Sequence, residues 1–249
     1  MSRVLSCKTL QGSEYYLAPY ISLCALDDGL IALDQRHRRY LSLPGKCVAA
    51  LAAACAEWQV PHTDTQVAPS PQEISATLNA LVGMGILTND GETGVIIRTL
   101  RIAVSESIDF GWGSQRDIPP DLKSLTCFSV ALARASAHLH LKSFDQLVTY
   151  VRQRREQSSS GLSAQDSVAI RVLVNSFRRW RPLAYASRGA CLFDSLVLLE
   201  FLAHFRVYPT WVLGVRSRPF MAHSWVQHEH CVLNGTVEYV EQFTPILIV

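Results

Sequence analysis

The most apolar helical run of the chain covers residues 191–204, and every apolar segment after it reads as strand. Residues 209–215 are apolar and β-branched around Trp211, and residues 223–227, 231–233 and 236–240 follow as short strand candidates. Ahead of that run, residues 121–140, 143–157 and 164–180 carry helical periodicity, broken by a serine-rich stretch at 158–163. Helices first and strands last describe an α+β domain.

The first 90 residues follow another pattern. Residues 20–26 predict a strand, Asp27-Asp28-Gly29 a tight turn, residues 30–34 the returning strand and residues 39–43 a third, stopped by Pro44-Gly45. Residues 46–58 are alanine-rich, with Val48, Leu51, Ala52 and Cys55 at helical spacing. Ser70-Pro71-Gln72-Glu73 predicts a second helix start, with a capping serine, a first-turn proline and a glutamate three residues on. That helix continues through Ile74, Leu78, Leu81 and Val82 to Gly83 or Gly85. Three short strands with helices in this span look like a winged-helix module. The polar residues 89–94 mark its end. The expected organisation is a winged-helix-like domain at 1–92, a linker at 93–119 and a second domain at 120–249.

At 49% hydrophobic and 18% charged, the chain buries a core. A net charge of +2 provides no global pull toward nucleic acid or membrane. Seven cysteines without a CxxC pair argue against a zinc site and against a disulfide framework, and so for a reducing compartment. No apolar run reaches the roughly 18 residues of a membrane span, and the N-terminus lacks a signal-peptide core, so a cytoplasmic protein is expected. No cofactor is evident, and there is no GxxxxGK[ST] phosphate loop.

Cys191 opens the apolar helix and His223 opens a strand downstream. A cysteine nucleophile needs its thiolate; a helix N-terminus favours negative charge, and an imidazole can take the thiol proton. Gly189 and Ala190 suit a sharp turn into the helix and leave nearby N–H groups open to a substrate oxygen. A lone cysteine is more often a core thiol; its place at the head of the helix sets Cys191 apart. The base is commonly oriented by Asp or Asn, and no aspartate follows Asp194. A two-residue hairpin turn at His228-Glu229 places Asn234 across from His223, and a three-residue turn places Gly235 there. Alternatively, Asn234-Gly235 is itself a type I′ turn.

Gly189-Ala190-Cys191-Leu192 with Ser195-Leu196, then Leu213-Gly214-Val215, residues 219–226 (PFMAHSWV), Val232-Leu233-Asn234-Gly235 and Phe243-Thr244-Pro245-Ile246 resemble, in order, the lasso-peptide biosynthesis B protein. The resemblance covers roughly residues 120–249 and implies a transglutaminase-like cysteine peptidase. Such an enzyme removes the leader from a ribosomally made precursor peptide; a separate ATP-dependent cyclase then closes the core. Any ATP dependence would come through that partner cyclase, with which a complex is expected. The family cysteine and histidine fall on Cys191 and His223. The family aspartate falls at or near Gly235, where this chain departs, so that either Asn234 substitutes or the pair works without a third side chain.

Residues 1–92 resemble the small winged-helix leader-recognition element related to the pyrroloquinoline quinone chaperone. The resemblance implies that the leader adds as a strand to a sheet edge and packs against the last helix. Here the edge is Arg39, Tyr40, Leu41, Ser42 and Leu43, and the facing helix offers Glu73, Thr77, Leu78 and Leu81. Two other readings stand beside the leader peptidase. One is a transglutaminase or amidase on the same scaffold, since hydrolysis and transfer share an acyl-enzyme. The other is a winged-helix transcriptional regulator, which the absence of Lys and Arg from residues 73–81 opposes.

Overall fold

The computed structural model describes residues 7–8, 14–27, 29–55, 58, 69–97, 99–108, 121–157, 167–186 and 189–249. The chain divides into two compact units, Met1–Arg101 with Val215–Met221, and Ile102–Gly214 with Ala222–Val249. Both helices and sheets build the fold, which is α+β. The linker expected at 93–119 lies in part outside the described residues.

In the first unit, β3 (Ile21–Leu26), β4 (Gly29–Asp34) and β5 (Arg39–Leu43) form a three-stranded antiparallel sheet in that order. Leu26 pairs with Gly29 and Leu30 with Leu43, so the tight turn falls where Asp27-Asp28-Gly29 predicts it. A Cβ on Gly29 would meet the Leu43 carbonyl oxygen at 2.8 Å, so glycine is needed for the close approach. The helix α1 (Gly45–Ala54) follows, and α2 (Pro71–Gly83) carries a complete capping box. Ser70 Oγ accepts from the Glu73 N–H (3.3 Å) and Glu73 Oε2 accepts from the Ser70 N–H (2.8 Å). A second small sheet joins β1 (Cys7–Lys8), β2 (Glu14–Leu17) and β6 (Leu87–Thr88); β6 continues the short extended piece expected at Ile86-Leu87, and β1 and β2 have no counterpart in the sequence reading. Leu30, Val48, Leu51, Leu78 and Ile86 form the centre of this unit's core.

Cys55 is disulfide-bonded, in a chain whose cysteine spacing argued against a disulfide framework. Among the described residues Cys24, Cys47, Cys127, Cys191 and Cys231 are outside any disulfide. No helix among the described residues is long and apolar enough to cross a membrane.

The second unit contains four long helices and a five-stranded sheet. Asp121 caps α3 (Leu122–Leu141) by accepting from the N–H groups of Lys123 and Ser124. Then come α4 (Phe144–Gln157), α5 (Ser167–Ala184) and α6 (Cys191–Ala203). From Asp194 to Leu202 every residue of α6 is buried, with α3 and α5 packed against it. The sheet runs β11 (Thr244–Ile248), β8 (Thr210–Arg216), β9 (Met221–His228), β10 (Cys231–Val232) and β7 (Glu106–Ser107). Trp211 on β8 meets Phe144 of α4 edge-on, with centroids 6.0 Å apart. The strand expected at 236–240 is instead a helical turn, α7 (Val237–Val240), in which the Val240 N–H returns to the Thr236 carbonyl. Its β-branched residues suggested a strand, but a buried Val240 needs only one turn to reach the core.

Candidate active site at the head of the buried helix

Cys191 is the first residue of α6. The chain enters through Gly189 at φ 77°, a left-handed conformation that glycine adopts without a Cβ penalty, and Ala190 takes the cap position. Ala190 offers no side-chain cap, so no side chain competes there for the first-turn N–H groups that stabilise a thiolate or an oxyanion. Cys191 is half-buried, and one turn later the helix is wholly enclosed.

His223 lies near the start of β9 among aromatic rings. Its imidazole stacks with Trp225 (centroids 6.1 Å, interplanar 15°), meets Tyr239 edge-on at 4.9 Å and Phe243 at 5.2 Å. Nε2 is buried and has no hydrogen-bond partner among the described residues. Burial in this apolar cage pushes the imidazole down to about 4, so the ring is neutral at physiological pH. Gly214 makes the cage possible: a Cβ there would lie 2.8 Å from both Phe243 Cβ and Trp225 Cζ3.

Side chains alternate along a strand. Ser224 Oγ donates to Ser195 Oγ on α6 (3.0 Å), so His223, one residue earlier, shares the opposite face with Trp225. Among the described residues no hydrogen bond joins Cys191 to His223. The structure instead brings β9 against α6 one helical turn beyond Cys191.

Asn234 does not sit across from His223. Cys231 pairs with His228 and Val232 with Gln227, so the turn is Glu229-His230, one position later than expected, and the register moves by two residues. Glu229 takes the strained turn position at φ 51°, and Gln227 Nε2 holds it by donating to the Glu229 carbonyl (2.7 Å). Neither Asn234 nor Gly235 has a positive φ, so the two do not form a type I′ turn. Asn234 Oδ1 accepts from the Val226 N–H (2.8 Å), and Nδ2 donates to Asp194 Oδ2 (3.1 Å) and Ser195 Oγ (3.2 Å). At Gly235, a Cβ would meet methyl groups of Val232 and Val240 at 3.4 Å, so the backbone does not demand glycine.

Sequence reasoning missed this polar cluster. Asp194 and Ser195 are buried on α6; Tyr185 donates to Asp194 Oδ1 (3.0 Å), Arg181 lies 3.5 Å from the same oxygen, and Trp211 Nε1 donates to Ser224 Oγ (2.8 Å). The available signal was the adjacent polar pair Asp194-Ser195 inside the most apolar run of the chain.

Of the expected peptide-binding residues, Arg39 and Ser42 on β5 are exposed, Tyr40 and Leu41 half-buried and Leu43 buried. On α2, Glu73 is exposed and engaged in the cap, and Thr77 is half-buried. Leu78 and Leu81 are core side chains and present no surface to a ligand. Among the described residues no group of three or more His, Cys, Asp or Glu is placed to hold a metal ion.

Neither a search of curated proteins nor one of solved structures returns a match. The sequence profile of the transglutaminase-like superfamily, whose members are generally cysteine-dependent enzymes, matches residues 124–248, which span α3 to β11 and include Cys191 and His223. By that match the chain belongs to the transglutaminase-like superfamily.

Proposed function

We propose that the protein is a leader peptidase of lasso-peptide biosynthesis, cutting a ribosomally made precursor through a Cys191 acyl-enzyme. The observation that carries this reading is Cys191 itself, the first residue of a buried helix with no capping side chain, inside the superfamily match. The ordered resemblance across residues 189–246 narrows the superfamily to this task.

The chemistry is acyl transfer. The Cys191 thiol attacks the scissile carbonyl and its proton passes to His223 Nε2, an acceptor with no other partner among the described residues. Because burial keeps the imidazole neutral, it acts as a general base during attack; a resting thiolate–imidazolium pair is disfavoured. The transfer requires the imidazole to turn toward the head of α6 when substrate binds. First-turn N–H groups take the developing oxyanion. Collapse expels the amine, which takes the proton back, and water then hydrolyses the thioester. An amine in place of water would give transglutaminase chemistry, which is the second reading.

In this proposal residues 1–92 form the winged-helix-like leader-recognition element. The β5 edge of its sheet, at Arg39–Leu43, receives the leader as an added strand. The partner cyclase takes the freed core. Mass spectrometry of a candidate precursor with wild type and Cys191→Ala tests the reading. Cleavage between leader and core by wild type alone is expected, and cleavage by Cys191→Ala would refute it.

A further inference from the structure

We infer that Ser195, Ser224, Asn234 and Asp194 are the positioning residues of this reaction, holding β9 at a fixed place against the head of α6. The inference rests on the assignment of Cys191 and His223 above. It gives Asn234 a different task from an imidazole-orienting side chain.

Ser195 follows Cys191 by one helical turn, and Ser224 follows His223 by one residue. Their hydroxyls meet at 3.0 Å, with Ser195 fully buried and Ser224 nearly so. Asn234 spans the same junction, its Oδ1 on the β9 backbone at Val226 and its Nδ2 on Asp194 and Ser195 of α6. Trp211 of β8 and Tyr185, just past the end of α5, close the network at Ser224 and Asp194. A helix packed on a sheet by apolar contacts alone can slide by fractions of an ångström at little cost. Directional bonds between buried groups fix one register, because any slip leaves a donor or acceptor unpaired. That precision matters where no hydrogen bond joins His223 to an orienting carboxylate or amide, since a misplacement of about 1 Å can cost on the order of 100-fold in rate.

The test uses the full chain and p-nitrophenyl acetate as acyl donor, following acetylation of Cys191 by quenched mass spectrometry. Ser195→Ala and Ser224→Ala are each expected to slow acetylation about tenfold or more, with the loss absent in a His223→Leu background. Ser195→Thr, which retains the hydroxyl, is expected to recover most of the rate. Wild-type rates in both alanine variants would overturn the inference while leaving the nucleophile assignment intact. A loss of equal size in the His223→Leu background would also overturn it, because the network would then be supporting the helix alone. Failure of the underlying assignment reads differently: Cys191→Ala would take up acetyl at the wild-type rate, and the inference would fall with it.

Discussion

The aromatic cage around His223 makes acid a specific stress on this fold. In the unfolded chain the imidazole titrates near 6.5, whereas in the native state burial holds it down to about 4. Between these values the unfolded state binds a proton that the native state refuses, so native stability falls as pH drops through that window and levels off below about 4. From about pH 8 to about pH 5 this one group should remove about 2 kcal/mol, the logarithm of the two titration ratios taken at about 1.4 kcal/mol per unit. His223→Leu keeps an apolar side chain in the cage and cannot titrate. Urea unfolding of both proteins at the two pH values isolates the contribution as the difference between their pH dependences. A difference of about 2 kcal/mol, with wild type losing more on acidification, is expected. Parallel curves would mean that the imidazole is solvated or paired, and the assignment of His223 as a neutral base would lose its physical ground.

Gly214→Ala should cost about 1–3 kcal/mol by forcing Trp225 and Phe243 apart, and an unchanged urea midpoint would show that the cage yields freely. Ser70→Ala removes the hydroxyl half of the α2 capping box, leaves the bond from its own N–H to Glu73, and should lower stability by about 1 kcal/mol, read from the same unfolding curves. Calorimetric titration of full-chain Cys191→Ala with a leader peptide should give binding heat equal to wild type. Loss of binding in that variant would place the leader at the head of α6.

Local chemistry was legible in the sequence wherever a few adjacent residues decide the outcome. The Asp27-Asp28-Gly29 turn, the Ser70 capping box, the Asp121 start of α3 and the Cys191 start of α6 all lie where propensity and spacing put them. What escaped depends on partners distant in sequence. The hairpin turn moved because Gln227 ties down the Glu229 carbonyl, and a single turn position decides what faces His223. Residues 237–240 took a helical turn although their composition favours a strand, and Asn234 found Asp194 and Ser195, forty and thirty-nine residues away. No periodicity encodes such a cluster. Its trace is the unexplained polarity of Asp194 and Ser195 in an apolar helix.

The central claim is that Cys191 carries the acyl group. Wild-type protein treated with p-nitrophenyl acetate, quenched in acid and digested, should yield an acetyl thioester on the peptide containing Cys191, ahead of Cys127 and Cys231, which are also half-buried and free. Acetylation spread evenly over the three thiols, or none at Cys191, would contradict it.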